Sequence, residues 1–197
     1  MAGLVVLEGI DGCGKSTVAK AVAERLGDRT VLTREPTDSW IGRAVKEGDG
    51  KEISPYTDAL LFMADRAQHT LEMAEMVRCG KLVVCDRYYH STVAYQTASL
   101  RRKGLGDNFA WLLDANTRIS LKPDVTFLLV LPPERMPERI SDRAERSRFE
   151  RLDFLTEVAQ NYERLAASDK GVVRLDATQP VGQVVEQVLA AVKERNL

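Results

Sequence analysis

One stretch limits what this chain can fold into more than any other: Leu4–Thr17, LVVLEGIDGCGKST. The aliphatic run Leu4–Leu7 reads as a buried parallel strand, and a helical pattern runs from Thr17 to Leu26, with the helix starting near Lys15. Between them lies Gly9-x-x-x-x-Gly14-Lys15-Ser16, the spacing of a phosphate-cradling loop in its required strand-to-helix setting. Glycines at 9, 12 and 14 let the backbone turn its N–H groups inward as an anion nest. The helix N-terminus adds its positive dipole end. Lys15 can reach the outer phosphates and the Ser16 hydroxyl can ligate Mg²⁺, while Ile10, Asp11, Cys13 and Thr17 complete the loop around a bound triphosphate. A nucleoside triphosphate is the expected ligand.

At 197 residues the chain suits one compact domain with a substantial core. Its 28 basic residues nearly balance 29 acidic ones, for a net charge of −1. Such a balance argues against nucleic acid or a membrane surface as the main partner. Cys13, Cys79 and Cys85 lack metal-ligand spacing and suit a reducing compartment. No stretch is long and apolar enough to span a bilayer, so a cytoplasmic protein is expected.

Strands and helices alternate along the rest of the chain, without repeats or low-complexity tracts. Thr30–Thr33 reads as a strand leading into Arg34-Glu35-Pro36, with a short helix over Trp40–Glu47 capped by Asp38 or Ser39. Ser54 followed by Pro55 starts a long helix that stops at Gly80. Leu82–Cys85 is a buried strand ending in Asp86-Arg87-Tyr88. Helices over Ser91–Arg102 and Asp107–Ile119, a strand over Val125–Leu131, a helix near Leu152–Ala167, a strand Val172–Leu175 and a helix Val181–Arg195 complete the pattern. The fold class is α/β: a five-stranded parallel sheet with helices on both faces. In such sheets ligands sit beyond the carboxyl ends of the strands. Those ends carry Glu8–Gly14, Arg34–Pro36, Asp86–Tyr88 and Asp176, so one shared site is expected.

Several side chains near those ends admit two readings. Tyr56, Leu60, Met63, Ala67, Leu71 and Ala74 form an apolar stripe on the long helix, and Phe62 with Arg66 lies on a face rotated from it. Phe62 is either peripheral core or a ring stacked on a base, and Arg66 either a surface charge or a phosphate ligand. Asp86 either orients Mg²⁺ and its waters or caps the sheet in a salt bridge. Ser91, Thr92, Tyr95 and Gln96 are an ordinary helix start or a set that reads a base and its sugar; a Gln amide offers one donor and one acceptor edge. The charged segment at about 134–151 holds Arg135, Arg139, Arg143, Arg146, Arg148 and Arg151. It is either a solvated helix or a flap that brings guanidinium groups over a transferring phosphoryl. His69 and His90 read as structural.

Taken together, LEGIDGCGKST, TREP, LLFMADRAQH, DRYYHSTVAYQ, KPDVTFLL and RAERSRFE resemble the thymidylate kinase family. The phosphate loop alone is common to many families, whereas its combination with DRY-x-x-S-T-x-A-Y-Q is specific. The resemblance implies a P-loop NTPase fold and a single nucleoside monophosphate kinase domain spanning 1–197, with phosphoryl transfer from ATP to dTMP. It places thymine on Phe62, the dTMP phosphate on Arg66 and Arg87, and base and deoxyribose against Ser91, Thr92, Tyr95 and Gln96. Asp11 would sit near the sugar hydroxyl and metal, with Glu35 and Pro36 in the acceptor loop. Mg²⁺ would be held at Ser16 and Asp86, and Asp176–Pro180 would lie by adenine. Catalysis would fall to Lys15, Arg87 and a flap arginine, since the phosphate loop has Gly12 and Cys13 and no arginine. Arg143, supported by Arg139 and Arg148, is the expected carrier. A homodimer is implied too. The chain departs from many bacterial members after Pro36, where Thr37-Asp38-Ser39-Trp40 replaces glycines. Rival readings are a kinase of dUMP, UMP or AMP, or a non-catalytic nucleotide-binding switch; no Asn-Lys-x-Asp for reading guanine is present.

Overall fold

A computed structural model of the chain describes residues 2–132, 135 and 152–197. The expected flap at about 134–151, with Arg139, Arg143 and Arg148, therefore lies outside the described residues except for Arg135. Five strands form one all-parallel sheet in the order β2-β3-β1-β4-β5: β1 (Gly3–Glu8), β2 (Thr30–Arg34), β3 (Leu82–Asp86), β4 (Val125–Val130) and β5 (Val172–Asp176). Among the described residues seven helices connect and cover it. They are α1 (Lys15–Leu26), α2 (Trp40–Gly48), α3 (Pro55–Arg78), α4 (Tyr89–Arg102), α5 (Phe109–Ile119), α6 (Leu152–Ser168) and α7 (Val181–Glu194).

Strand β1 is central and buried along its whole length, as its unbroken apolar run requires. Alternation sends its side chains to opposite faces. Val5 and Leu7 join the larger apolar cluster with Val18 and Val22 of α1 and Val184 and Val188 of α7. Leu4 and Val6 join a smaller cluster with Met73 of α3 and with Tyr88 and Tyr89. No helix among the described residues is long and apolar enough to cross a membrane.

The helix boundaries follow local chemistry. Ser54 Oγ accepts from the Tyr56 N–H at 3.3 Å and Pro55 opens α3, as the Ser-Pro pair predicts. Ser39, and not Asp38, caps α2, accepting from Gly42 N–H at 3.1 Å. Asp38 pairs instead with Arg34 and Lys46. Gly42 is required by close approach, since a Cβ there would stand 2.1 Å from the Thr37 carbonyl oxygen.

Helix α3 overturns one expectation. Tyr56, Leu60 and Leu71 of its apolar stripe are exposed, while Asp58, Asp65, Arg66 and His69 are buried. The reading of Arg66 as a surface charge is the one that fails, since the residue is buried. The polar face turns inward because it finds partners there: Arg66 pairs with Glu35, and Asp65 accepts from the Thr37 N–H.

Candidate functional site

Two loops meet at the carboxyl end of the sheet. The first is the phosphate loop between β1 and α1. Gly9 has φ 141°, and a Cβ there would lie 2.5 Å from the Leu129 carbonyl oxygen, so both backbone and packing demand glycine. Lys15 is buried and folds back over the loop, its Nζ donating to the Ile10 carbonyl at 2.8 Å. Cys13 Sγ stands 3.7 Å from the same ammonium. Ser16 Oγ donates to Asp86 Oδ2 at 2.5 Å, which ties the start of α1 to the end of β3. Asp86 Oδ1 is buried and has no hydrogen-bond partner. One hydroxyl and one carboxylate oxygen are a hard-oxygen donor set of the kind Mg²⁺ takes when phosphates and waters fill its remaining positions. Among the described residues there is no cluster of three or more metal-ligating His, Cys, Asp or Glu side chains.

The second loop follows β3. Arg87 has φ 71°, a left-handed backbone that costs a non-glycine residue energy. Glu8, at the end of β1, anchors this loop and the first turn of α4. Its carboxylate accepts from the Tyr88 N–H at 2.8 Å, the Ser91 N–H at 3.1 Å, the Ser91 hydroxyl at 2.6 Å and the Tyr162 hydroxyl at 2.9 Å. Burial pushes the Glu8 pKa up despite these donors. The Arg87 guanidinium is ion-paired with Asp11 and lies 5.3 Å over the Tyr95 ring. Burial opposes its charge, but Asp11, Tyr95, Tyr162 and Glu8 outweigh that and raise its pKa well above the ordinary value. Tyr95 Oη donates to Asp11 Oδ2 at 3.0 Å and accepts from the Asp11 N–H at 3.0 Å. Asp11, Arg87 and Tyr95 thus join the two loops.

Beside this junction is a cavity of about 250 Å³. Asp11, Pro36, Phe62, Arg87, Ser91, Thr92, Tyr95 and Gln96, all picked out by sequence, line it. Phe62 belongs to neither apolar cluster of the core.

Glu35 and Arg66 are not among the lining residues. Arg66 is 1% exposed; its Nη2 donates to Glu35 Oε2 at 2.5 Å and its Nη1 to Asn116 Oδ1 at 2.5 Å and Thr92 Oγ1 at 2.9 Å. His69 completes the set, with Nδ1 3.1 Å from Glu35 Oε1 and Nε2 2.8 Å from Thr33 Oγ1. A carboxylate oxygen only accepts, so Nδ1 carries the proton. Arg66 thus lies buried behind the cavity with both Nη atoms held by protein groups, while its Nε has no hydrogen-bond partner among them.

Sequence reasoning missed four lining residues, Val45, Lys46, Asp49 and Asp58. The first three bring α2 and the turn after it to the cavity. Asp58 carried a signal, an acid in the first turn of a capped helix, but that position is equally common on ordinary surface helices. The loop after Pro36 keeps its course without glycines because Asp65 holds it. Its carboxylate accepts from the Thr37 N–H at 2.8 Å, the Thr37 hydroxyl at 2.6 Å and the Ser39 hydroxyl at 3.2 Å. At the far end of the sheet, Asp176 Oδ1 accepts from the Thr178 N–H and hydroxyl, closing the turn after β5.

Known proteins similar to this chain belong to one family. A family model described as thymidylate kinase matches residues 7–188. A protein of Thermococcus kodakarensis named "Probable thymidylate kinase" is 40% identical over 204 residues, covering 96% of each chain. One of the same name from Methanoculleus marisnigri is 38% identical over 193 residues, covering 96% of this chain and 94% of that one. The solved thymidylate kinase of Candida albicans superimposes with a TM-score of 0.84 at 25% identity, covering 99% of this chain and 92% of that one.

Proposed function

From the premise that this chain belongs to the thymidylate kinase family, we propose that it works as a dTMP kinase whose two nucleotides meet at the Asp11–Arg87–Tyr95 junction. The reaction transfers the γ-phosphoryl group of ATP to dTMP, giving ADP and dTDP. The observation that carries the site assignment is the shared wall: Asp11 and Arg87 both line the cavity while Asp11 belongs to the phosphate loop.

In this reading an oxygen of the dTMP phosphate attacks the γ-phosphorus in line. The new P–O bond forms as the bond to the β–γ bridging oxygen breaks, and that oxygen keeps the electron pair and leaves with ADP. The attacking oxygen is already anionic, so the protein supplies positioning and charge neutralisation in place of a general base. The loop amides around Gly9, Ile10, Gly12–Gly14 and Thr17, with Lys15, grip the triphosphate. Arg87 takes the acceptor phosphate. Phe62 stacks on thymine, and Ser91, Thr92, Tyr95 and Gln96 meet its base and deoxyribose, with Pro36 closing the cavity and Glu35 and Arg66 bracing it. Ser16 and Asp86 would hold Mg²⁺, which when bound neutralises phosphate charge. Arg143, with Arg139 and Arg148, spreads the developing charge from a flap at about 134–151 of the single kinase domain.

A homodimer is part of the same proposal. Leu60 and Leu71 of α3 are 54% and 66% exposed, and Tyr56 meets the exposed Trp111 edge-on at 5.9 Å. An apolar helix face of this kind suits a second copy of the chain packed across it. Cys13 and Cys85 are buried free thiols and Cys79 an exposed one, in keeping with work in a reducing cytoplasm.

A coupled assay of ADP release with ATP, Mg²⁺ and a panel of dTMP, dUMP, UMP and AMP tests the reading. Release dependent on dTMP and fastest with it is expected; equal release without any monophosphate would overturn it. Replacing Arg143 by Ala should lower kcat by about 10²–10³. Parental turnover in that variant would move the catalytic arginine elsewhere.

A further inference from the structure

A glutamine amide can turn either edge to a base, and its neighbours decide which. Gln96, on α4, is 1% exposed and lines the acceptor cavity. Its Nε2 donates to Asp58 Oδ2 at 3.3 Å, while its Oε1 is buried and meets no hydrogen-bonding group of the protein. Asp58, itself 2% exposed, lines the same cavity from the first turn of α3. Its place in the first turn of α3 sets the carboxyl beside the N-terminus of that helix. An ionised carboxylate only accepts hydrogen bonds, so the amide must give it the NH₂ group and keep the carbonyl for something else. A buried carbonyl oxygen without a partner is costly, and a ligand that donates to it removes the cost.

We propose that Asp58 is a positioning residue that sets base specificity by locking the Gln96 amide with Oε1 offered to the ligand. The inference rests on reading this cavity as the acceptor-nucleotide site. A locked acceptor selects pyrimidines whose N3 carries hydrogen, thymine and uracil. It rejects cytosine, whose N3 is itself an acceptor, because two acceptors then face each other at a buried amide oxygen. Phe62 stacks on any pyrimidine ring and does not make this distinction; Asp58 makes it through Gln96.

The test is the ratio of kcat/KM for dTMP to that for dCMP. In the parent the ratio is high. Asp58→Asn replaces an acceptor-only group with one that can present either edge, so the Gln96 amide is free to turn. The ratio should fall about tenfold or more. Asp58→Glu, which remains acceptor-only, should keep most of it. Equal losses on both substrates in Asp58→Asn, leaving the ratio at the parental value, would overturn the lock and leave Asp58 a packing residue. A parent that uses dCMP as well as dTMP would overturn it too. Should Asp58→Asn not fold, Asp58→Ala gives the same reading: a lowered ratio is expected and an unchanged one refutes. A parent with no monophosphate-dependent ADP release would defeat the kinase reading itself; normal dTMP turnover with an unchanged ratio defeats only this inference.

Discussion

Helices α3 and α7 flank the same sheet and are built on opposite plans. Helix α7 buries Val184, Val185, Val188 and Val192, an apolar stripe against the core. Helix α3 buries Asp58, Asp65, Arg66 and His69 and leaves Leu60 and Leu71 outside. The first plan gains stability from area removed from water. The second spends desolvation free energy on charges and recovers it only if each finds its partner, so its residues are placed to within hydrogen-bond geometry. Precision of that kind is what a nucleotide site needs, and a stripe of valines cannot supply it. Of the two, α3 is the helix that lines the acceptor cavity, through Asp58 and Phe62.

The contrast can be broken most sharply at Glu35. Glu35→Leu would leave the Arg66 charge in a place 1% exposed to solvent without its carboxylate. The expected cost is about 3–5 kcal/mol by denaturant unfolding, together with loss of dTMP turnover. A loss below about 1 kcal/mol would mean the buried pair is not what holds α3 inward. Val188→Ala in α7 removes two methyl groups from a fully buried position. It should cost about 2–3 kcal/mol and leave kcat per folded molecule unchanged, since α7 contributes no residue to the cavity. A fall in kcat there would erase the division of labour between the helices.

Acid sharpens the comparison, because titratable groups are buried on the α3 side of the sheet. His90 stacks on Tyr89 with centroids 4.0 Å apart, and neither ring nitrogen has a hydrogen-bond partner. Burial lowers its pKa from 6.5 to about 3, so the folded state holds it neutral where the unfolded chain would charge it. The stability this represents is present above the unfolded value of 6.5 and is lost as pH falls toward about 3. By pH 5 the parent should have lost about 2 kcal/mol relative to a His90→Phe variant, measured as parallel melts across the range. Coincident pH profiles would show that His90 does not titrate with folding. The smallest expected effect is at Leu71. Leu71→Lys should change monomer stability by no more than about 0.5 kcal/mol, yet sedimentation should show it shifted from dimer toward monomer. An unchanged sedimentation profile would remove α3's outer face from the proposed interface.

Much of the site was legible before the fold. Gly9, Gly14, Lys15 and Ser16 lie within eight residues of one another, so spacing alone reports a loop whose function is local. The motif after β3 was legible for the same reason, since Arg87, Ser91, Thr92, Tyr95 and Gln96 fall on one turn and the helix beyond it. The acceptor wall was not. Arg66 reaches Glu35 across 31 residues and Asn116 across 50, and Asp65 reaches Thr37 across 28. Periodicity treats Arg66 as a surface charge because it has no means of seeing those partners.

The amino-acid order by itself determined the β–α alternation, the parallel sheet, the phosphate loop and the strand ends at which a site must form. These arise from forces acting within a few residues: backbone freedom at glycine, capping, and alternating burial along a strand. Only the tertiary structure decided which face of α3 points inward and which edge of the Gln96 amide is left for a ligand. A charged side chain is stable inside only where distant segments bring it partners, and the balance between desolvation and pairing exists only once those segments have met.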